Sequence, residues 1–202
     1  MRRLSLVLAL ASLVGVVPAL RADSIPYSNV GTPANPITYV ADATGNVTGY
    51  FVGSSAGDNS VIRMIDITSG YTSSYFFPNH ATAPGSSQNF GAVNAGDILV
   101  FELYDMTSGF HLSTDPSNNP DGVTHGYGTA FSGGLIGSNM FPAGTYVGFE
   151  DTPWFDYDYN DNQFLFTNVS IAPTPEPGSL LLLGTGILGV AGTLHRKMFA
   201  AK

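Results

Sequence analysis

Between Phe149 and Phe166 the chain reads Phe-Glu-Asp-Thr-Pro-Trp-Phe-Asp-Tyr-Asp-Tyr-Asn-Asp-Asn-Gln-Phe-Leu-Phe. Glu150, Asp151, Asp156, Asp158 and Asp161 fall within this stretch with Asn160 among them, and no Lys or Arg lies nearby. Carboxylates held this close repel one another, so a fold must splay them into water, protonate them, or give them a cation to share. A hard divalent ion suits them best, and calcium is the expected cofactor. Asp156, Asp158 and Asn160 have the spacing of positions 1, 3 and 5 of a calcium loop, where alternate oxygen-bearing side chains turn toward one centre. Position 6 is Asp161 where a helical hand needs Gly, and position 12 is Thr167 where it needs Glu, so an EF-hand is not expected. The competing reading is an acidic, solvated turn before a strand. Spacing alone leaves both open.

A second group of candidate ligands lies upstream. Asp115-Pro116-Ser117-Asn118-Asn119-Pro120-Asp121-Gly122-Val123-Thr124-His125 is a dense run of turn formers that also offers oxygen ligands, Asp115 and Asp121 foremost, and an imidazole. Alone it reads as an ordinary Asx-rich loop. His80, His111 and His125 show no metal-ligand spacing, and the chain has no cysteine, which excludes disulfides and thiolate metal sites. Trp154, Tyr157 and Tyr159 stand beside the acids and could stack on a sugar face, or simply pack at a strand end.

The elements that must position these residues read as β structure. From Asp23 onward, Gly, Ser, Thr, Asn and Pro punctuate short runs rich in Val, Ile, Tyr and Phe, and no helix of useful length appears. Candidate strands are Ile37–Ala41, Val47–Val52, Val61–Thr68, Ile98–Tyr104, Tyr127–Phe131, Thr145–Phe149 and Gln163–Ile171. Alternation in Ile65-Asp66-Ile67-Thr68 and Phe164-Leu165-Phe166-Thr167 suits sheets with one wet face. The expected fold class is all-β, a two-sheet antiparallel sandwich of jelly-roll type. The sequons at Asn46 and Asn168 fall on predicted strands and read as coincidence.

Charge and the two ends bound the function. Between Ala22 and Pro173 the only basic residue is Arg63, against 14 acidic residues. So acidic a body cannot neutralise phosphates, which excludes nucleic acid, and an anionic membrane surface would repel it. Met1-Arg2-Arg3 followed by apolar Leu4 to Val17 has the form of a secretory signal over residues 1–22, with Ala19 and Ala22 as alternative cleavage points. Residues 23–172 form the β-domain. A stiff Pro-rich linker follows over 173–178, then an apolar segment from Ser179 to Leu194 that opens residues 179–202, a single transmembrane helix closed by Arg196 and Lys197, whose basic end should stay cytoplasmic.

Pro175-Glu176-Pro177, an apolar helix and then Arg196-Lys197 together resemble the PEP-CTERM sorting signal of Gram-negative bacteria. The resemblance implies that Pro175, Glu176 and Pro177 are recognised by an exosortase after signal peptidase has acted. It also implies that the helix is a transient anchor in the inner membrane, and that the product reaches the cell surface or an extracellular polysaccharide matrix.

Residues 94–171 resemble the bacterial domain-of-unknown-function family 4114. The loop from Asp115 to His125 carries the resemblance, as do Phe149-Glu150-Asp151 and Asp158-Tyr159-Asn160-Asp161, with Pro153-Trp154-Phe155 departing from the usual glycines. For that family both cation binding and enzymic activity have been suggested. The leading expectation is a non-enzymatic, calcium-stabilised β-domain with a structural or adhesive role. The alternatives are a polysaccharide hydrolase that sets Glu150 opposite Asp115 or Asp121 at roughly 5–9 Å, and a lectin-like module.

Overall fold

The computed structural model describes residues 25, 27–153 and 156–172. The expected signal segment, linker, terminal helix and sorting residues Pro175, Glu176, Pro177, Arg196 and Lys197 lie outside the described residues, as does Trp154.

Described in chain order, the strands are β1 (Tyr39–Ala41), β2 (Gly45–Ser54), β3 (Ser60–Asp66), β4 (Tyr71–Thr72), β5 (Ser87–Val93), β6 (Ile98–Asp105) and β7 (His111–Ser113). After a 3-10 turn at Pro116–Asn118 come β8 (Gly126–Phe131), β9 (Gly134–Ile136), β10 (Asn139–Phe141), β11 (Gly144–Phe149), β12 (Asn162–Thr167) and β13 (Val169–Ile171). Every pairing between them is antiparallel. One sheet runs β13-β1-β6-β3-β4 with β7 added beside β6, a second runs β5-β2-β12-β11-β8, and β9-β10 is a separate hairpin.

The alternation of β3 explains how the sheets meet. Ser60, Ile62, Met64 and Asp66 are buried while the residues between them are half-buried, the period of two that a pleated strand imposes. Ile62 and Met64 join Leu99, Phe101 and Leu103 of β6 in one core cluster with Val47, Phe51, Phe90, Val147, Phe149, Phe164 and Phe166 of the other sheet. Across that interior Phe101 stacks on Phe166, ring centroids 4.0 Å apart and 21° between planes. Burying one such ring stabilises the fold by about 2–3 kcal/mol.

The short strands β4, β7, β9 and β10 fall outside the expected ranges, and three further features differ from the sequence expectation. The Leu165 face of β12 is not wet, because Ile136 and Phe141 of the β9-β10 hairpin cover it together with Val52 and Tyr146. The last strand is broken at Asn168, which takes φ 62 and turns the chain from one sheet into the other. Asn tolerates this left-handed conformation, and its side chain accepts from Ala43 N at 2.9 Å and donates to Ala43 O at 2.9 Å. Finally, β5 pairs with β2 although Ser-Gln-Asn-Phe-Gly-Ala-Val has no strand signature, since its unpaired edge groups find partners there.

Candidate metal centre

β11 delivers the site's central residue. Immediately beyond Phe149, the Glu150 N–H donates to His125 O at 3.0 Å, which carries the side chain into the interior, where it is 0% exposed. Its Oε1 accepts the Tyr159 backbone N–H, and its Oε2 has no hydrogen-bond partner. The loop returns past Glu150 because Tyr157 and Tyr159 both adopt left-handed backbone, at φ 49 and 56. Gly148 makes the close return feasible, since a Cβ there would lie 2.2 Å from Tyr159 O.

This folding gathers part of the acidic stretch. Ligand oxygens of Glu150, Asp156 and Asp158 all lie within 4.8 Å of one another, with Glu150 buried, Asp158 half-buried and Asp156 exposed. Oxygens bound to one calcium ion at 2.3–2.6 Å stand at most about 5 Å apart, so these three could hold a single metal ion. Burial pushes the Glu150 carboxyl up to about 8, against the Tyr159 N–H that favours its charged form, and Asp161, Asp156 and Asp158 add repulsion.

Asp151 and Asp161 are not in that triad, although the Asp161 charge is felt at Glu150. Asp151 is buried, and its N–H donates to Asp161 Oδ2 at 3.1 Å. Burial and then the Asp161 charge push Asp151 up to about 7; burial also raises Asp161, against the hydrogen bonds from Asp151 that favour its charged form and with the charges of Asp158 and Asp156 adding to the rise. The Asp161 carbonyl is tied to the end of β2 by Ser54 Oγ at 2.6 Å, Ser55 N at 3.1 Å and Ala56 N at 3.2 Å. Asn160 serves the frame: its N–H donates to Asp158 Oδ1 at 3.0 Å and its side-chain amide bonds Asp158 Oδ2 and Ser55 Oγ.

The loop from Asp115 to His125 does fold beside the acids, through the His125 carbonyl on Glu150 N and through Tyr159 OH, which donates to Thr124 O at 3.0 Å. Its carboxylates are occupied within their own loop. Asp115 Oδ1 caps the 3-10 turn by accepting from Ser117 N at 2.9 Å and Ser117 Oγ at 2.8 Å. Asp121 Oδ2 lies 3.1 Å from His125 Nε2, both side chains almost wholly buried. Asn119, which the sequence reading passed over, closes the loop by donating to Ser113 O at 2.8 Å and Val123 O at 2.6 Å.

Tyr159 does not offer a face to a sugar. It is 2% exposed, edge-on to Tyr27 at 4.9 Å, and its hydroxyl accepts from Ala34 N at 2.8 Å. Tyr157 is half-buried with its ring 6.4 Å from that of Tyr159. The N-terminal segment that covers Tyr159 also donates from Gly31 N to Asp156 O at 2.7 Å, so a distant part of the chain fixes the loop's tip. Nothing in the spacing of the acids signals that cover.

Residues 173–197 match the protein family described as the PEP-CTERM protein-sorting motif. The match begins where the β-domain ends. Such a motif implies export, processing by an exosortase and membrane-linked sorting toward the cell surface. No curated protein and no solved structure matches the chain.

Proposed function

We propose that this is an exported surface or matrix protein whose β-domain is stabilised by calcium bound at Glu150, Asp156 and Asp158, and whose role is structural or adhesive rather than enzymatic. The observation that carries the reading is the buried Glu150 carboxyl with one oxygen lacking any donor and two further carboxylates within 4.8 Å. A cation satisfies the orphaned oxygen and offsets the mutual repulsion in one step. Hydrolysis is the weaker reading. The acids that would have to face Glu150 are engaged, Asp115 with its own turn and Asp121 with His125.

Calcium binding fits the expected journey of the chain. The C-terminal helix would hold the exported domain at the inner membrane until an exosortase cuts near Pro175 to Pro177, and the released domain would then meet calcium outside the cell. Thermal melts of the full-length chain in mild detergent test the domain reading. Calcium added after chelation should raise the melting temperature, and an unchanged temperature at millimolar calcium would sink it. Intact mass tests the sorting. Surface protein that still carries Met198 to Lys202 in an exosortase-bearing strain would make the tail a permanent anchor, and Glu176→Ala should block cleavage without unfolding the β-domain.

A further inference from the structure

The inward-facing rows of the two sheets end in polar residues at the same edge of the core. On β3 the row Met64, Ile62 finishes at Ser60, and on β6 the row Phe101, Leu103 finishes at Asp105, its cross-strand partner. On β12 the row Phe166, Phe164 finishes at Asn162, which pairs with Phe149 of β11 and Ser54 of β2. Asp151 follows two residues beyond Phe149. Asn79 joins the sheets at this level, donating to Ser54 Oγ at 3.2 Å and accepting from Ser60 N at 3.0 Å.

This end layer is buried yet incomplete. Ser60 and Asn162 are 0% exposed and Asp151 is 6% exposed. Nevertheless Ser60 Oγ, Asp151 Oδ2 and both polar atoms of the Asn162 side chain lack hydrogen-bond partners. A buried polar group left without a partner destabilises the fold, so four in one layer call for a guest. Asp105 is not among them, because its Oδ1 accepts from Thr107 N at 2.8 Å within its own turn. The orphans are mainly oxygens, one of them on the Asp151 carboxylate, the Asp161 carboxylate accepts the Asp151 N–H at 3.1 Å, and the charges of Asp105 and Asp58 are also felt at Asp151. A hard divalent cation answers that donor set.

We propose that a second calcium ion sits at this end of the inter-sheet core, bound by Asp151, Asp161, the Asn162 side-chain oxygen and the Ser60 hydroxyl, and joins the two sheets. The site uses none of the triad's ligands Glu150, Asp156 and Asp158, although the Asp161 charge is felt at Glu150. The Asn162 amide donates to a water in the ion's shell, which satisfies the fourth orphan. Because β3 and β12 belong to different sheets, the ion acts as a staple where the hydrophobic packing stops.

Calcium stoichiometry decides it, measured on the full-length chain in mild detergent by calorimetric titration and by elemental analysis after dialysis. Two ions per chain are expected, with one remaining in Asp151→Asn and one in Glu150→Gln. One ion in the unaltered chain, still present in Asp151→Asn, would mean that the layer holds ordered water only, and the inference falls while the triad stands. No bound ion at all would remove both. Should Asp151→Asn fail to fold, Asn162→Asp supplies an independent reading. It adds a carboxylate to the same layer and should tighten one of two binding steps about 10-fold, whereas two unchanged affinities overturn the site.

Discussion

Glu102 and Glu150 are both drawn largely out of water, one on the outer face of the six-stranded sheet and the other at the mouth of the acidic loop, and their surroundings treat them in opposite ways. Glu102 Oε1 accepts from Tyr75 OH at 2.7 Å and lies 3.0 Å from His111 Nδ1 and 2.9 Å from Arg63 Nε. Burial pushes its carboxyl up, but those partners outweigh burial and hold it below the usual range. Burial pushes Glu150 up too, and with one backbone N–H to oppose it and the charges of Asp161, Asp156 and Asp158 adding to it, the carboxyl stands at about 8. Asp66 is 1% exposed and behaves like Glu102: burial pushes it up, but Ser69 Oγ at 2.6 Å, Ser69 N at 3.0 Å and Thr68 N at 2.9 Å supply donors from its own turn that hold it below the usual range. Burial therefore does not by itself mark a site. What marks one is a buried carboxylate oxygen that the fold leaves without a donor.

The largest effect that separates the two glutamates should come from calcium. At a calcium concentration about 100-fold above Kd, binding stabilises the folded state by about 3 kcal/mol. For a domain of this size that amounts to roughly 5–10 °C in Tm. Glu150→Gln should abolish the shift it owes to the triad and leave the calcium-free protein melting no lower than the unaltered chain. An undiminished calcium shift in Glu150→Gln would break the comparison.

Gly148→Ala comes next. Its Cβ would meet the Tyr159 carbonyl at 2.2 Å, and overpacking of this kind costs about 1–3 kcal/mol. The displaced Tyr159 would also withdraw its N–H from Glu150, so the calcium response should weaken together with stability. Gly57→Ala is the control, because a Cβ there meets nothing within 4 Å and the melt should not move.

The pH dependence has opposite signs at the two sites. Glu150 at about 8 and Asp151 at about 7 both stand above ordinary carboxyl values, so the folded, calcium-free protein binds protons more tightly than the unfolded chain. Their contribution is fully present below about pH 4 and is lost as pH rises through 7 and 8. Glu102 is depressed, so its contribution is present above the ordinary carboxyl range and is lost only as pH falls through its lowered value. Calcium competes with protons for Glu150, hence its Tm increment should be larger at pH 8 than at pH 5. Melts across that range with and without chelator check both signs.

The smallest effect is expected on the outer face. Glu102→Gln should cost about 1 kcal/mol, since water screens a partly exposed cluster, and should leave the calcium increment intact. Chemical denaturation with and without calcium measures both. A loss of calcium response in Glu102→Gln would show that the increment comes from general relief of negative charge rather than from the loop.

The local texture of the chain determined a good deal. Alternating and β-branched runs placed strands wherever β1, β2, β3, β6, β8, β11 and β12 are found, and the turn formers around Asp115 to His125 placed that loop correctly. The run from Glu150 to Asp161 also announced its own crowding, because charges a few residues apart cannot separate far in any fold. Arg63 carried a further legible signal: the only cation of an acidic body must find an acid, and register puts it opposite Glu102.

Only the tertiary structure decided how the acidic run is arranged, with ligand oxygens of Glu150, Asp156 and Asp158 within 4.8 Å of one another and the Asp151 N–H on the Asp161 carboxylate. It also buried Tyr159 under Tyr27 and Ala34, and left Ser60 and Asn162 facing one another's sheets without partners. The physical reason is that a carboxylate's state depends on whether a donor reaches it. Here the donors that do arrive are the loop's own, Tyr159 N–H on Glu150 and Asp151 N–H on Asp161, while the frame that holds them in place and shuts out water comes from His125, Ser54 and Ala34, which the spacing of the acids does not reveal.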